Sequence, residues 1–289
     1  MNDPPQSKRK WILARHAVVY GERTLVMGVL NVTPDSFSDG GRFSSRERAL
    51  VRAEEMIAEG ADMIDIGGES TRPGAALVST NEETQRVVPV IEQLSKRSTV
   101  PVSIDTTKGA VARAAIQAGA EIINDISGLR FDASMADVAA EARAGLILMH
   151  SRGDMKTMHR LEPVPDILEE VTNSLRESIA EAERRGVPRE CIALDPGIGF
   201  SKSLEQNVEL VAKLDQFAQA FNGFPILVGT SRKSFLGRLL DDAPVDERLH
   251  GTMATVTAAV LRGAHIVRVH DVRAAVETVR VADALKRAE

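Results

Sequence analysis

The chain has 289 residues, a net charge of −5 and a hydrophobic fraction of 43%, which fits one or two globular domains with a sizeable core. That acidic balance argues against a general nucleic-acid binder, which carries a basic patch. The single cysteine, Cys191, excludes an intramolecular disulfide and a cysteine-rich zinc site and reads as a buried structural thiol. No apolar run approaches the ~20 residues that cross a bilayer.

The opening stretch "MNDPPQSKRKW" is polar and lacks the apolar segment of a secretory signal, so a cytoplasmic protein is expected. Residues 1–10 are expected to be a disordered tail before one catalytic domain over 11–289. "WILARHAVVYGERT" reads as a β-hairpin turning near Gly21. From residue 24 onward, eight short runs rich in valine, isoleucine and leucine alternate with longer helical segments. They are "TLVMGVLN" (24–31), "ADMIDIG" (61–67), "VPVSIDT" (100–106), "AEIINDIS" (120–127), "GLILMHS" (145–151), "CIALDPG" (191–197), "PILVGTS" (225–231) and "AHIVRVHD" (264–271). Nearly continuous apolar character marks strands buried on both faces in a parallel sheet.

The helical segments have readable ends. Capping-box patterns occur at Ser44 with Glu47, Thr80 with Glu83 and Ser203 with Gln206. A long helix over about 165–185 is stopped by Gly186 and Pro188. Eight strand–helix units without a linker predict a single (β/α)8 TIM barrel with a short N-terminal β-hairpin plugging its bottom. A doubly wound sheet is the alternative, but no G-x-G-x-x-G opens any of these helices.

In such a barrel, polar residues at strand C-termini converge on one mouth. Here they are Asn31, Asp65, Asp105, Asn124, His150, Asp195, Thr230 with Ser231, and Arg268 with His270. One strand-end aspartate is as often a helix cap as a ligand, but so many polar ends on one rim read as a site. Asp105, Asn124 and Asp195 have the inventory to hold a flat heterocycle with N–H and amino edges, with Phe200 as an apolar face and the neighbouring glycines forming a tight turn. "VGTSRKSFLG" places Arg232, Lys233 and Ser234 at a helix start, where backbone N–H groups favour an anion. Arg268 and His270, two apart on one side of a strand beside Asn31, add to a basic cluster suited to a phosphate or diphosphate with magnesium. His150 reads as a packed residue. It and His159 lack the i, i+4 spacing of a zinc helix, and His16, His250 and His265 read as incidental.

"MGVLNVTPDSFSDGG" and "ADMIDIGGESTRPGA", followed by "SIDT", "INDISG", "LDPGIGF", "GTSRKSF" and "RVHDV", resemble the signature segments of the dihydropteroate synthase family over about residues 24–275. The resemblance implies a barrel enzyme of folate synthesis, a homodimer, that joins 4-aminobenzoate to 6-hydroxymethyl-7,8-dihydropterin diphosphate with Mg²⁺. It implies Asp105, Lys233, Asp39, Arg268 and His270 as catalytic, and Asp105, Asn124, Asp195, Lys233, Met149 and Gly229 as the pterin site. The aminobenzoate site would comprise Phe37, Thr71, Arg72, Pro73, Phe200, Lys233 and Ser234. Asn31, Thr71, Arg72, Arg268 and His270 would hold the diphosphate, with Asn31 the metal ligand. Residues 31–44 and 67–80 would be mobile loops, the first hinged at Gly40 and Gly41 and closing Phe37 over the site. Sulfonamides would be inhibitors that mimic aminobenzoate. One departure stands out: "HSRGDMKTM" carries Met155 where the family often has proline. A pterin-dependent methyltransferase domain, a catalytically silent pterin-binding paralogue and, more distantly, a phosphosugar lyase are the competing readings. The diphosphate residues argue against the first, and no strand carries a Schiff-base lysine for the last.

Overall fold

The computed structural model of the chain describes residues 9–33, 42–70 (side chains from 46), 77–154, 157 and 161–288. An antiparallel hairpin of β1 (Lys10–Ile12) and β2 (Ala17–Val19) precedes β3 (Leu25–Asn31), β4 (Met63–Gly67), β5 (Val102–Asp105), β6 (Ile122–Asp125), β7 (Gly145–Met149), β8 (Ile192–Asp195), β9 (Leu227–Val228) and β10 (Ile266–Val269). One strand arises from each of the eight apolar runs. β3 to β8 pair in order and in parallel, β10 lies between β3 and β9, and Leu194 bridges Ile226 to close the ring. Around it lie α1 (Arg42–Ala58), α2 (Thr80–Arg97), α3 (Gly109–Gln117), α4 (Ser134–Ala142), α5 (Ile167–Arg184), α6 (Leu204–Ala212), α7 (Leu214–Ala220), α8 (Ser234–Leu239), α9 (Leu249–Leu261) and α10 (Val272–Lys286). This is the expected (β/α)8 barrel.

The strands are apolar on both faces because each face buries a different core. Outward residues such as Val26, Ile64, Ile104, Ile123 and Leu146 pack under the helices, with Cys191 buried among them. Inward residues Leu25, Met27, Met63, Ile122, Ile147, Ala193, Leu227 and Ile266 form a separate lumen core with Trp11, Leu13 and Tyr20 of the hairpin segment. The hairpin plugs the bottom as expected. Trp11 Nε1 donates to Cys191 O at 2.8 Å, and His16 Nδ1 meets both oxygens of Glu121 at 2.8 Å. A Cβ on Gly145 would lie 2.6 Å from Leu13 and 3.0 Å from Trp11, so glycine makes room for the plug.

Several local expectations are corrected. The hairpin turns over residues 13–16, where Leu13 N–H donates to His16 O, and Gly21 follows β2 instead. Lys10 already pairs with Val19, so ordered structure begins before residue 11. Helix α1 starts at Arg42, placing Ser44 inside its first turn rather than ahead of it. Helix α2 is capped by Ser79, whose hydroxyl accepts Glu82 N–H at 3.2 Å, rather than by Thr80. Glu83 turns instead into the core beside Lys108. The Ser203–Gln206 box forms both of its bonds. His16 and His265, read as incidental, each make a structural contact: His265 Nδ1 accepts Ile226 N–H at 3.0 Å.

Candidate active site

Strand alternation carries the lumen core upward into a polar layer. Met63 is followed on the same face by Asp65, Ile122 by Asn124, Ile147 by Met149, Ala193 by Asp195 and Ile266 by Arg268. At the mouth these meet in one network. Arg268 Nε donates to Asp65 Oδ2 at 2.6 Å and its Nη2 donates to Asp105 Oδ2 at 2.6 Å. Asn124 Nδ2 donates to the same Asp65 oxygen at 2.9 Å.

The electrostatics follow from burial. Desolvation pushes the Asp105 carboxyl up to about 7; Arg268 opposes the shift and Asp65 adds to it. Burial works against the charge of Arg268 too, but Asp65 and Asp105 overcome it and hold the guanidinium protonated. Asp195 is likewise raised by burial, to about 6, against the pull of the Gly197 N–H, Lys233 and Arg268. Its Oδ1 accepts Gly197 N–H at 2.7 Å, so one oxygen of the residue shapes a turn.

That turn explains its glycines. Gly197 has φ +68° and Gly199 φ +86°, conformations costly for residues with a Cβ. A Cβ on Gly197 would sit 1.9 Å from His150 O, and one on Gly199 would sit 2.7 Å from Lys233 Cδ. The Lys233 ammonium lies 3.8 Å above the centre of the Phe200 ring, and Phe200 forms an apolar cluster with Met149 and Ile126. Burial, then Arg268, lowers Lys233 to about 8. A second lysine, Lys202, takes its role only from the tertiary structure. Its Nζ reaches His150 Nδ1 at 3.0 Å, Gly197 O at 2.8 Å and Phe200 O at 3.0 Å, pinning the turn from beneath. Its place three residues after P-G-x-G is the available sequence signal. His150 is a packed residue, as expected.

On the opposite side, Asn31 ends β3, and a Cβ on Gly67 would stand 3.7 Å from both Asn31 Oδ1 and Asp105 Cβ, so the two border one another across β4. Gly229 keeps the wall beside Arg268 free of side chain. His270 is lowered to about 3, by burial first and then by Arg268 and Arg232. It is therefore neutral, with its Nδ1 3.0 Å from the Ser231 hydroxyl. Arg232 corrects the expected basic cluster: its guanidinium is clamped on Asp271 through Nε at 3.0 Å and Nη2 at 2.5 Å. Thr230 is also structural, its hydroxyl accepting from Thr255 at 2.9 Å. Ser234 lies exposed at the first residue of α8.

Phe37, Asp39, Gly40, Gly41, Thr71, Arg72, Pro73, Met155 and His159 lie outside the described residues. The flank of one expected loop is tied down: Glu69 accepts Val78 N–H at 2.7 Å and Lys108 at 2.8 Å, and Lys108 also meets Glu83 at 2.5 Å. Among the described residues no cluster of three or more His, Cys, Asp or Glu side chains could hold a metal. The amide oxygen of Asn31 is a hard donor at the mouth.

The family model for pterin binding enzymes matches residues 27–270. A dihydropteroate synthase of Synechocystis sp. is 50% identical over 93% of this chain and 92% of its own. Among solved structures, the Burkholderia cenocepacia dihydropteroate synthase complexed with 7,8-dihydropteroate is 42% identical, with 97% of this chain and 98% of that one covered and a TM-score of 0.87. The Yersinia pestis enzyme in a sulfonamide complex is 40% identical, with coverage of 97% and 100% and a TM-score of 0.89.

Proposed function

The chain belongs to the family of pterin-binding enzymes, and within it to the dihydropteroate synthases; from that premise we propose how its barrel mouth runs the reaction. The C–O bond of 6-hydroxymethyl-7,8-dihydropterin diphosphate breaks and diphosphate departs. The amine of 4-aminobenzoate then bonds to the CH₂ carbon and loses a proton, giving 7,8-dihydropteroate. The observation that carries the assignment is the polar layer itself, where a heterocycle-holding set and an anion-holding arginine meet within one network.

Asp195, Asn124, Asp105 and Lys233 grip the pterin, whose ring lies against Met149, Phe200 and the bare wall at Gly229. Asp195 offers one oxygen, since Gly197 occupies the other. Arg268 faces the diphosphate with the N–H groups left over after Asp65 and Asp105 are served. His270 adds a neutral ring, contributing a hydrogen bond rather than a charge. Departure of diphosphate first leaves a cation delocalised into the pterin, which the Asp105 carboxylate stabilises in a site of low dielectric. Such a cation must be kept from water. Phe37, Asp39, Thr71, Arg72 and Pro73, by their match to the family, complete the closure and the aminobenzoate pocket with Phe200, Lys233 and Ser234.

The residues present fit Mg²⁺ held mainly by the substrate: one amide oxygen, Asn31 Oδ1, borders Asp105 at the mouth, and this ion keeps few protein ligands beside phosphate oxygens. When bound, it neutralises charge on the departing diphosphate. Sulfonamides enter as aminobenzoate mimics and compete with it, a reading supported by the Yersinia pestis complex. A homodimer is supported by α9, which carries no Asp, Glu, Lys or Arg from Leu249 to Leu261 although one side of it is open, with Leu239, Leu240 and Val245 exposed nearby. A cytoplasmic setting fits the lone buried thiol.

The test is a product assay with pterin diphosphate, labelled 4-aminobenzoate and Mg²⁺. Labelled dihydropteroate that disappears with Asp195→Ala or on removal of Mg²⁺ supports the reaction and the site. Saturable pterin binding without product would mean a silent paralogue.

A further inference from the structure

Asp65 is fully buried within the polar layer, and a single oxygen of it does two things. Oδ2 accepts Asn124 Nδ2 at 2.9 Å and Arg268 Nε at 2.6 Å, while Oδ1 is buried with no partner among the described residues. An ionised carboxylate only accepts. Facing it, the Asn124 amide has to turn its NH₂ inward, so that Oδ1 is the edge presented outward. Arg268 has to spend Nε inward, which aims the rest of the fork at the mouth.

We propose that Asp65 is a positioning residue that sets the donor–acceptor order of Asn124 and the aim of Arg268, so that the pterin grip and the diphosphate grip share one anchor. The inference rests on the proposed reaction and goes beyond it, because Asp65 is fully buried and acts through Asn124 and Arg268. Retaining a buried carboxylate with one unpaired oxygen is costly, and a polar anchor of this kind specifies geometry rather than adding stability.

The sign of one effect separates aim from charge. Removing a negative charge beside Arg268 would, by itself, tighten binding of an anion. Removing its aim would loosen it.

Asp65→Asn is nearly isosteric. It is expected to weaken binding of 6-hydroxymethylpterin and of inorganic diphosphate with Mg²⁺ by about tenfold each, the size of a lost charge-assisted hydrogen bond, and to leave the aminobenzoate KM least changed. Ser103→Ala is the control for packing, since Ser103 is the registered neighbour of Asp65 on β5, is equally buried and has a hydroxyl with no partner among the described residues. It should leave both affinities as they are.

Tighter diphosphate binding in Asp65→Asn, unchanged affinities, or an equal loss in Ser103→Ala would each overturn the proposal. If Asp65→Asn does not fold, the wild-type protein still decides. A slowly exchanging guanidinium Nε–H assigned to Arg268 by NMR supports the anchor, and a rapidly exchanging one refutes it. Wild-type protein that binds neither probe would instead defeat the reading of the reaction.

Discussion

The ammonium of Lys233 stands 3.8 Å above the centre of the Phe200 ring, and it fits there because the neighbouring residue, Gly199, has no Cβ to block its stem. Cation–π contact of this kind is strengthened by desolvation. It joins the helix start after β9 to the turn after β8 across the mouth of the barrel.

Gly199→Ala should therefore damage the site more than the fold. An alanine at φ +86° costs about 1–2 kcal/mol, and its methyl would displace the Lys233 stem. We expect kcat/KM for the pterin substrate to fall by on the order of tenfold or more, with a modest drop in melting temperature. Steady-state kinetics beside a thermal melt would check it; a large melt shift with unchanged kinetics would contradict it.

The pH profile follows from three shifts. Asp195 and Asp105 are raised to about 6 and about 7, and Lys233 is lowered to about 8. Below these carboxyl values the acceptors are protonated and the pterin grip weakens; above the lysine value the ammonium is lost. The kcat/KM for pterin diphosphate should be bell-shaped, with its maximum between about 7 and 8. A flat profile from pH ~5 to ~9 would remove these groups from the binding step.

At the other end of the barrel, Trp11→Ala should cost about 3–5 kcal/mol of stability, because the side chain is fully buried over Gly145 and bonded to Cys191 O. Substrate KM values should hardly move, since the plug and the mouth lie at opposite ends of the strands. Urea unfolding and kinetics on the same sample would separate the two effects.

Lys108→Met would strand Glu83, whose side chain is wholly buried. Breaking such a pair costs about 3 kcal/mol or more. Adding Glu83→Met should restore much of the loss, and failure of the double variant to recover in urea denaturation would show that the pair is not what holds α2 to the β5–α3 turn.

Much of this protein is legible in its sequence. The eight apolar runs specified eight strands because a barrel strand buries both faces, so the run is continuous and its end is marked by the first polar residue at the mouth. The same logic picked out Asp105, Asn124, Asp195 and Arg268. Local signals misled where two residues competed for one role: Ser79 rather than Thr80 caps α2, and the hairpin turns at 13–16 because Leu13 bonds to His16 there, although Gly21 looked the better turn residue.

What the sequence by itself determined was the fold, the set of residues brought to one rim and the family. Periodicity and strand ends are local properties, and each can be read within a few residues. Tertiary structure alone decided the pairings. Asp65 and Arg268 are 203 residues apart and Asp65 and Asn124 are 59 apart; nothing in the chain's order indicates that they share an oxygen. It also withdrew Arg232 from the mouth and gave it to Asp271, and it recruited Lys202 beneath the turn. Hydrogen-bond partnership depends on distances of a few ångströms after closure, and only the closed barrel sets them.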